Sequence, residues 1–381
     1  MHGLPYRRLA GFYFFYFAYL GAFAPFFGLY LDHAGLTAVQ IGSLMSLPQV
    51  TRIVAPHLWG WLADHSTSRL RIVRLTGLAG TLCYLGVFLG SEFGLLFAVL
   101  FAMTFFWSAA LPLVEATTLA HLGDETSRYG RIRVWGSIGF IALVVGGGYV
   151  LDALGVGTVP AMVLLMMTGM LALAWSLPDA RPAHATADDT TIWQVMRRPE
   201  TLALIAASGF MAAAHGPYYT FYSIHVVGYG YSKAVTGWLW ALGVICEIGI
   251  FWWMPHLYRA FSLRALLIAS TALAVVRFLA IGWAADSFVV LVLAQTLHAA
   301  TFGSFHAASI GVIHRLFKGR HQARGQAIYG SFAFGIGGAI GGFASGYAWE
   351  NLGAAATFSA GAACAAIAML ILWVKLHLPR D

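Results

Sequence analysis

The chain has 381 residues, of which 60% are hydrophobic and only 10% charged, whereas a soluble globular domain is about half apolar and about a quarter charged. That balance excludes a water-soluble enzyme or binding module and predicts a membrane protein. The formal net charge of +7 is spread over seven loop and tail segments without a DNA-binding motif, so it points to topology and anionic lipid headgroups and away from nucleic acid.

A helix needs about 20 mainly apolar residues to cross the hydrocarbon core. Segments of that kind predict twelve spans, at about 9–31, 37–63, 70–90, 93–121, 129–152, 158–177, 200–226, 233–258, 263–284, 287–316, 322–351 and 354–375. Barrel strands are only about ten residues long, so the expected class is all-α. Span one follows Arg7 and Arg8 and contains "FYFFYF"; it is too long for a secretion signal and lacks a small-x-small cleavage site. Span two carries Arg52 and ends in "GWLADHSTSRLR", with Gly60, Asp64, Arg69 and Arg71. Span four ends in "PLVEATTLA" with Glu115, and span five begins "RYGRIRVWGSIGF" with Arg133.

The one long polar stretch, at about 178–200, divides the chain nearly in half. The expected domains are therefore an N-terminal six-helix bundle (1–177), a cytoplasmic linker (178–199) and a C-terminal six-helix bundle (200–381). Span seven reads "AHGPYYTFYSIH" with His215, span eight "GVICEIGIF" with Glu247, span nine "AVVRFLAIGW" with Arg277, and span ten "TLHAATF" with His298. Aromatics of spans one and seven are candidates for a cavity wall, though packing is the expected role of most. Gly335, Gly337, Gly338, Gly341 and Gly342 in span eleven permit close helix contact. Cys83, Cys246 and Cys364 lie singly in three spans, which indicates packing rather than disulfides or a metal site.

Orientation follows from the basic residues. With both termini inside, Arg7, Arg8, Arg69, Arg71, Arg74, Arg128, Arg131, Arg181, Arg197, Arg198, Arg259, Arg264, Arg315, Lys318, Arg320, Arg324, Lys375 and Arg380 share one side. The opposite loops offer only Lys233 against Asp32, Glu92, Asp152, Asp286 and Glu350. Both termini are thus expected in the cytoplasm, in a bacterial cytoplasmic membrane.

The halves echo each other. "GLTAVQIGSL" from Gly35 resembles "GYSKAVTGWL" from Gly230 at an offset of 195, and "VWGSIGF" at 134–140 resembles "IYGSFAF" at 328–334 at an offset of 194. A near-constant offset implies a duplicated six-span bundle, and parallel repeats of this kind place a substrate site near the membrane midplane between the halves.

Five formal charges fall inside spans: Arg52, Glu115, Arg133, Glu247 and Arg277. Each costs about 2.5–3.5 kcal/mol at a helix centre when left alone, so they must pair or line water. Glu115 lies shortly before a cytoplasmic turn and Arg133 shortly after it, about 8–10 Å deep on antiparallel helices at 1.5 Å per residue, so they can meet. Glu247, Arg277, His298 and Arg52 fall near mid-depth. One alternative is that Glu115–Arg133 and Glu247–Arg277 are pairs that only fix packing; against it, buried ion pairs stabilise poorly and intramembrane charge usually marks a transport path. Three arginines against two carboxylates leave one positive charge in excess, assigned to Arg52, which an organic monoanion would balance. The alternative for Arg52 is snorkelling along a helix edge.

Twelve spans in two halves, the "GWLADHSTSRLR" loop and this series of buried charges resemble the major facilitator superfamily, and within it the proton-coupled permeases for lactose and for 3-phenylpropionic acid. In the lactose-permease relatives the acid of span four, the Arg of span five and the Glu of span eight hold substrate, while the Arg of span nine and the His of span ten serve proton coupling. The resemblance assigns those roles to Glu115, Arg133 and Glu247, and to Arg277 and His298, and places Gly60 and Asp64 in the gating loop; the proton carrier does not transfer with it, and Glu247 is the candidate because it is central in the membrane and level with Arg277 and His298. One departure stands out: where lactose permeases have a carboxylate one turn after that His, this chain has Thr301. Arg52 and "AHGPYYTFYSIH" lean toward the phenylpropionate-type members, and His215 joins the candidates for substrate binding.

His298, His306 and His314 recur every eight residues, about 80° apart on a regular helix, so they should wind around it rather than face one site. The expected function is proton-driven uptake of a small organic solute, preferentially an aromatic monocarboxylate, with an oligosaccharide or nucleoside as the alternative. No cofactor is expected beyond the proton gradient. The expected partners are the solute, protons and membrane lipids around a monomer, without nucleic acid. Span five lacks the Gly-Pro element that resembles drug antiporters, and no His-Glu-x-x-His or Gly-x-Ser-x-Gly motif of an enzyme is present.

Overall fold

A computed structural model describes residues 4–123, 125–179, 192–317 and 321–377. Most of the expected 178–199 linker lies outside the described residues, which resume with one helical turn at Ile192–Met196. Among the described residues the fold is all-helical. The twelve expected spans correspond to α1 (Tyr6–His33), α2 (Ala38–Asp64), α3 (Arg69–Leu89), α4 (Phe93–Leu122), α5 (Tyr129–Leu154), α6 (Val156–Ser176), α7 (Pro199–Ala214 and Gly216–Gly228), α8 (Lys233–Ala260), α9 (Leu263–Trp283), α10 (Phe288–Leu316), α11 (321–352) and α12 (354–375).

Among the described residues, nine helical stretches are long and apolar enough to cross a membrane. They are α1, α3 to α6, α8 to α10, and one continuous stretch holding α11 and α12. The latter two abut at Gly353, whose φ of +80° is not helical, so one helix ends there and the next begins. Polar residues such as Gln40, Gln49 and Arg52 dilute α2. Two helices are interrupted just before prolines. Pro112 in α4 and Pro217 in α7 have no N–H for the carbonyl four residues back, and the helices turn at Ser108–Ala109 and at His215.

The sequence echo at Gly35 and Gly230 has a counterpart in the backbone. Gly35 and Gly230 take φ of +85° and +88° just before α2 and α8, a left-handed conformation that costs glycine nothing. Thr37 and Ser232 then cap those helices: Thr37 Oγ1 accepts from the Gln40 N–H at 3.3 Å and Ser232 Oγ from the Val235 N–H at 3.1 Å. A carboxylate completes each cap. Glu350 accepts from the Val39 N–H at 3.0 Å, while Asp152 accepts from those of Lys233 and Ala234 at 3.0 and 2.9 Å. Negative charge at a helix N-terminus is favoured by the macrodipole.

The described residues form two compact units. One takes those of Met1–Leu36, Val50–Ala187 and Ser232–Trp238; the other those of Thr37–Gln49, Asp188–Tyr231 and Leu239–Asp381. In the first, the aromatic α1 is the core, with Phe12, Tyr13, Phe26 and Phe27 fully buried. Lipid competes equally for apolar surface, so helices associate by close packing. In the second unit the glycine series of α11 serves this end: a Cβ on Gly341 would fall 2.4 Å from the Ala213 carbonyl oxygen.

Candidate functional sites in the two units

In the first unit the turn between α4 and α5 returns the chain so that Glu115 and Arg133 face each other, with Glu115 Oε1 3.9 Å from Arg133 Nε. Both side chains are about a third exposed, at 36% and 32%. Tyr129 stands one helical turn before Arg133 on the same face, and its hydroxyl donates to Glu115 Oε1 at 3.1 Å. The Arg133 guanidinium lies 3.9 Å over the ring of Phe17 and 5.8 Å from that of Tyr13, an arrangement that holds a cation without neutralising it. Tyr13 shares a 3.2 Å hydrogen bond with Thr118. Arg52 is exposed on α2, within electrostatic reach of Glu115 and Tyr16. The "FYFFYF" run thus supplies both core and the cation-binding wall of this cluster.

The second unit has a drier cluster. Arg277 on α9 is fully buried. Its Nε donates to the Ala294 carbonyl at 3.0 Å, its Nη1 donates to Thr301 Oγ1 at 3.2 Å, and its guanidinium lies 4.3 Å over the Tyr218 ring. The expected proximity of Glu247 and Arg277 is not realised as an ion pair: Glu247 Oε2 lies 3.8 Å from His298 Nε2, and among the described residues no carboxylate is within ion-pair distance of Arg277. Matched depth was the only ground for that pair, and depth leaves the direction of each side chain around its helix open. Tyr218 stacks on His298 with ring centroids 5.5 Å apart and donates to Gln295 Oε1 at 3.1 Å. His215, at the break in α7, donates from Nδ1 to the Met211 carbonyl at 2.8 Å and lies 6.4 Å from the His298 ring.

The histidine spacing needs correction. Residues 299–304 form a π-helical segment, which accommodates one extra residue in its turn. Eight residues then advance the helix like seven, changing the angle between His298 and His306 from about 80° to about 20°. The rings of His298, Phe302 and His306 accordingly form a stacked column, with centroids 5.4 and 6.3 Å apart and both interplanar angles 11°. His314 is apart from it, its Nε2 2.8 Å from Gln326 Nε2.

The other expected site residues belong to the turn between α2 and α3. Asp64, 71% exposed, pairs with Arg69 at 3.7 Å; Gly60 has open space about it. Ser68 Oγ caps α3 by accepting from the Arg71 N–H at 3.0 Å, and it also donates to Asp179. Neither Tyr129 nor Gln295 stands out in the sequence by type. Their spacing is the usable sign: each lies a helical turn before a charged or titratable candidate, Arg133 or His298.

Comparison with known proteins places the chain among transporters. Residues 6–360 match the family described as "MFS_1 like family". The chain is 28% identical over 351 residues to a probable 3-phenylpropionic acid transporter of Escherichia coli (strain K12), covering 91% of this chain and 92% of that one. It is 26% identical over 368 residues to maltose permease of Geobacillus stearothermophilus, covering 95% and 92%. In three dimensions it is similar to the crystal structure of nucleoside transporter NupG, with a TM-score of 0.80, 16% identity and coverage of 97% and 98%.

Proposed function

As a member of the MFS_1 like family this chain is a multi-pass membrane transporter of the major facilitator type and not an enzyme, and we propose that it takes up a small organic monoanion, preferentially an aromatic monocarboxylate, together with a proton. The observation that carries this reading is charge. In the first unit Arg52 and Arg133 stand with the single carboxylate of Glu115, and in the second the fully buried Arg277 has a hydroxyl, a carbonyl and aromatic rings around it. A carboxylate on the solute would balance the excess, and guanidinium groups grip carboxylates in two-pronged fashion. The relative named for 3-phenylpropionic acid supports the aromatic part.

In this reading Glu115, Arg133, Arg52 and His215 contact the solute. Glu247, Arg277 and His298 link its movement to a proton, with Glu247 also within reach of the solute. Glu247, whose Oε2 lies 3.8 Å from His298 Nε2, is the group that gains and loses the proton, because a rearrangement that changes its distance from the Arg277 charge would change its proton affinity. Both termini lie in the cytoplasm of a bacterial cytoplasmic membrane, a monomer suffices, and the proton gradient is the only accessory. A neutral sugar is the second reading, favoured by the maltose permease relative. The deciding experiment is uptake into energised vesicles of labelled 3-phenylpropionate, maltose and a nucleoside, with and without a proton gradient. Gradient-dependent uptake of the acid alone supports the proposal, and uptake of the sugar or nucleoside alone replaces it.

A further inference from the structure

A guanidinium sealed from water needs negative charge nearby, because a buried uncompensated charge costs several kcal/mol. Arg277 has none within ion-pair distance among the described residues, and two of its nitrogens are already spent on neutral acceptors. Its third nitrogen, Nη2, is buried without a hydrogen-bond partner. The same condition recurs beside it. Gln295 is fully buried, its Oε1 accepts from Tyr218, and its Nε2 has no partner. Tyr222 is fully buried, its ring 4.9 Å from that of Tyr218, and its hydroxyl faces Gln295 without forming a well-aligned hydrogen bond.

All three surround Tyr218: Arg277 over its face, Gln295 on its hydroxyl, Tyr222 on its flank. Arg277 Nη2 and Gln295 Nε2 each carry two N–H groups, so four N–H donors and a hydroxyl are left over. Buried polar groups in native proteins are nearly always satisfied, and each one left alone costs about 1–3 kcal/mol. A water molecule would satisfy a donor or two but would leave the guanidinium charge uncompensated. A set of surplus donors around an uncompensated cation matches an anion.

We propose that Arg277, Gln295 and Tyr222 form a buried binding site for a small monovalent anion, a carboxylate or a halide, which supplies the negative charge that Thr301 does not. Thr301 marks the place. Its hydroxyl is the side-chain acceptor for Arg277, and a carboxylate at that position would neutralise the arginine from within the protein. The position is filled by a neutral residue, so the compensating charge comes from a ligand that can leave, and the occupancy of the site follows the anion concentration. If the ligand is a carboxylate, the site deepens the transport reading by holding the solute's charged end; if it is a halide, the site stands independently of that reading.

The test is thermal unfolding of the purified full-length protein in detergent, without a proton gradient. Sodium chloride, sodium formate or sodium 3-phenylpropionate is titrated against sodium isethionate, a sulfonate, at constant ionic strength. The expected result is a saturable rise in Tm with chloride, with the carboxylates, or with both. Gln295→Leu removes two N–H donors without changing charge and should raise the half-saturating concentration about tenfold or more. Thr301→Asp places a carboxylate beside Arg277 and should make Tm insensitive to the anion. A response to chloride identifies a free inorganic anion as the occupant, whereas a response to the carboxylates alone identifies the solute's own group. Equal Tm in all four salts, or a rise that both variants retain at wild-type concentrations, overturns the site. Failure of proton-driven uptake in vesicles would overturn the transport reading and leave this measurement unaffected.

Discussion

Glu247 Oε2 on α8 and His298 Nε2 on α10 face each other at 3.8 Å. The His298 ring stacks on those of Tyr218 and Phe302, and the carboxylate is the more accessible member of the couple: His298 is 6% exposed at its side chain and Glu247 19%. A group that is held on one side and reachable on the other suits a proton carrier.

That relationship makes Glu247→Gln informative. Exchange of labelled for unlabelled solute needs no net proton movement, so the variant should exchange at near wild-type rates. Accumulation against a gradient should be lost. The measurement is counterflow alongside proton-driven uptake in the same vesicles. Normal accumulation with unchanged pH dependence would move the coupling role to Glu115 or His298.

Glu115 and Arg133 should behave as one unit. Because Tyr129 and Phe17 hold the two groups from the sides, removing either charge leaves the other in place without its partner. Glu115→Gln and Arg133→Gln should each weaken solute binding about tenfold or more, or about 1.4 kcal/mol or more. The double variant should lose less than the sum. Direct binding to purified protein checks this, and normal affinity in both single variants would reduce the pair to a packing contact.

Arg52 is exposed on α2 within reach of Glu115, a position suited to meeting an incoming anion. Arg52→Gln should depress carboxylate uptake at least about tenfold more than uptake of the corresponding neutral amide. Equal loss of both would point to folding damage or an uncharged solute.

The carboxylate caps of α2 and α8 make a stability prediction. Asp152→Asn and Glu350→Gln should each lower unfolding free energy by about 0.5–2 kcal/mol, the usual cost of losing a helix cap. Thermal unfolding at two salt concentrations measures it. Asp152 bonds two N–H groups and Glu350 one, so the Asp152 variant should show the larger loss.

Orientation is checked by cysteine labelling in intact cells, after Cys83, Cys246 and Cys364 are replaced. A cysteine at Phe261, between α8 and α9, should resist an impermeant reagent, and one at Tyr231, before α8, should react. The reverse pattern inverts the topology.

The sequence by itself determined the helical class, the repeated turn at Gly35 and Gly230 and the Glu115–Arg133 encounter. Each depends on one-dimensional quantities. Apolar run length sets a span, a constant offset reveals a repeat, and distance from a shared turn sets depth on a hairpin. The offset of 195 between Gly35 and Gly230 reappears as the same backbone turn at both places, because a left-handed glycine is a local property that its own residue type permits.

Only the tertiary structure decided which side chains meet across helices. Regular helical geometry sets His298 and His306 apart, and the π-segment at 299–304 brings them into one column; that widened turn depends on packing around α10, which residue spacing does not encode. Glu247 and Arg277 share a depth, yet Glu247 turns to His298 while Arg277 turns to Ala294, Thr301 and the Tyr218 ring. Depth is set by position along a helix, whereas partnership is set by each helix's rotation about its axis and by the rotamers that packing allows. For the same reason Gln295 and Tyr222 become candidates only when the structure shows their polar atoms buried around Tyr218 without partners.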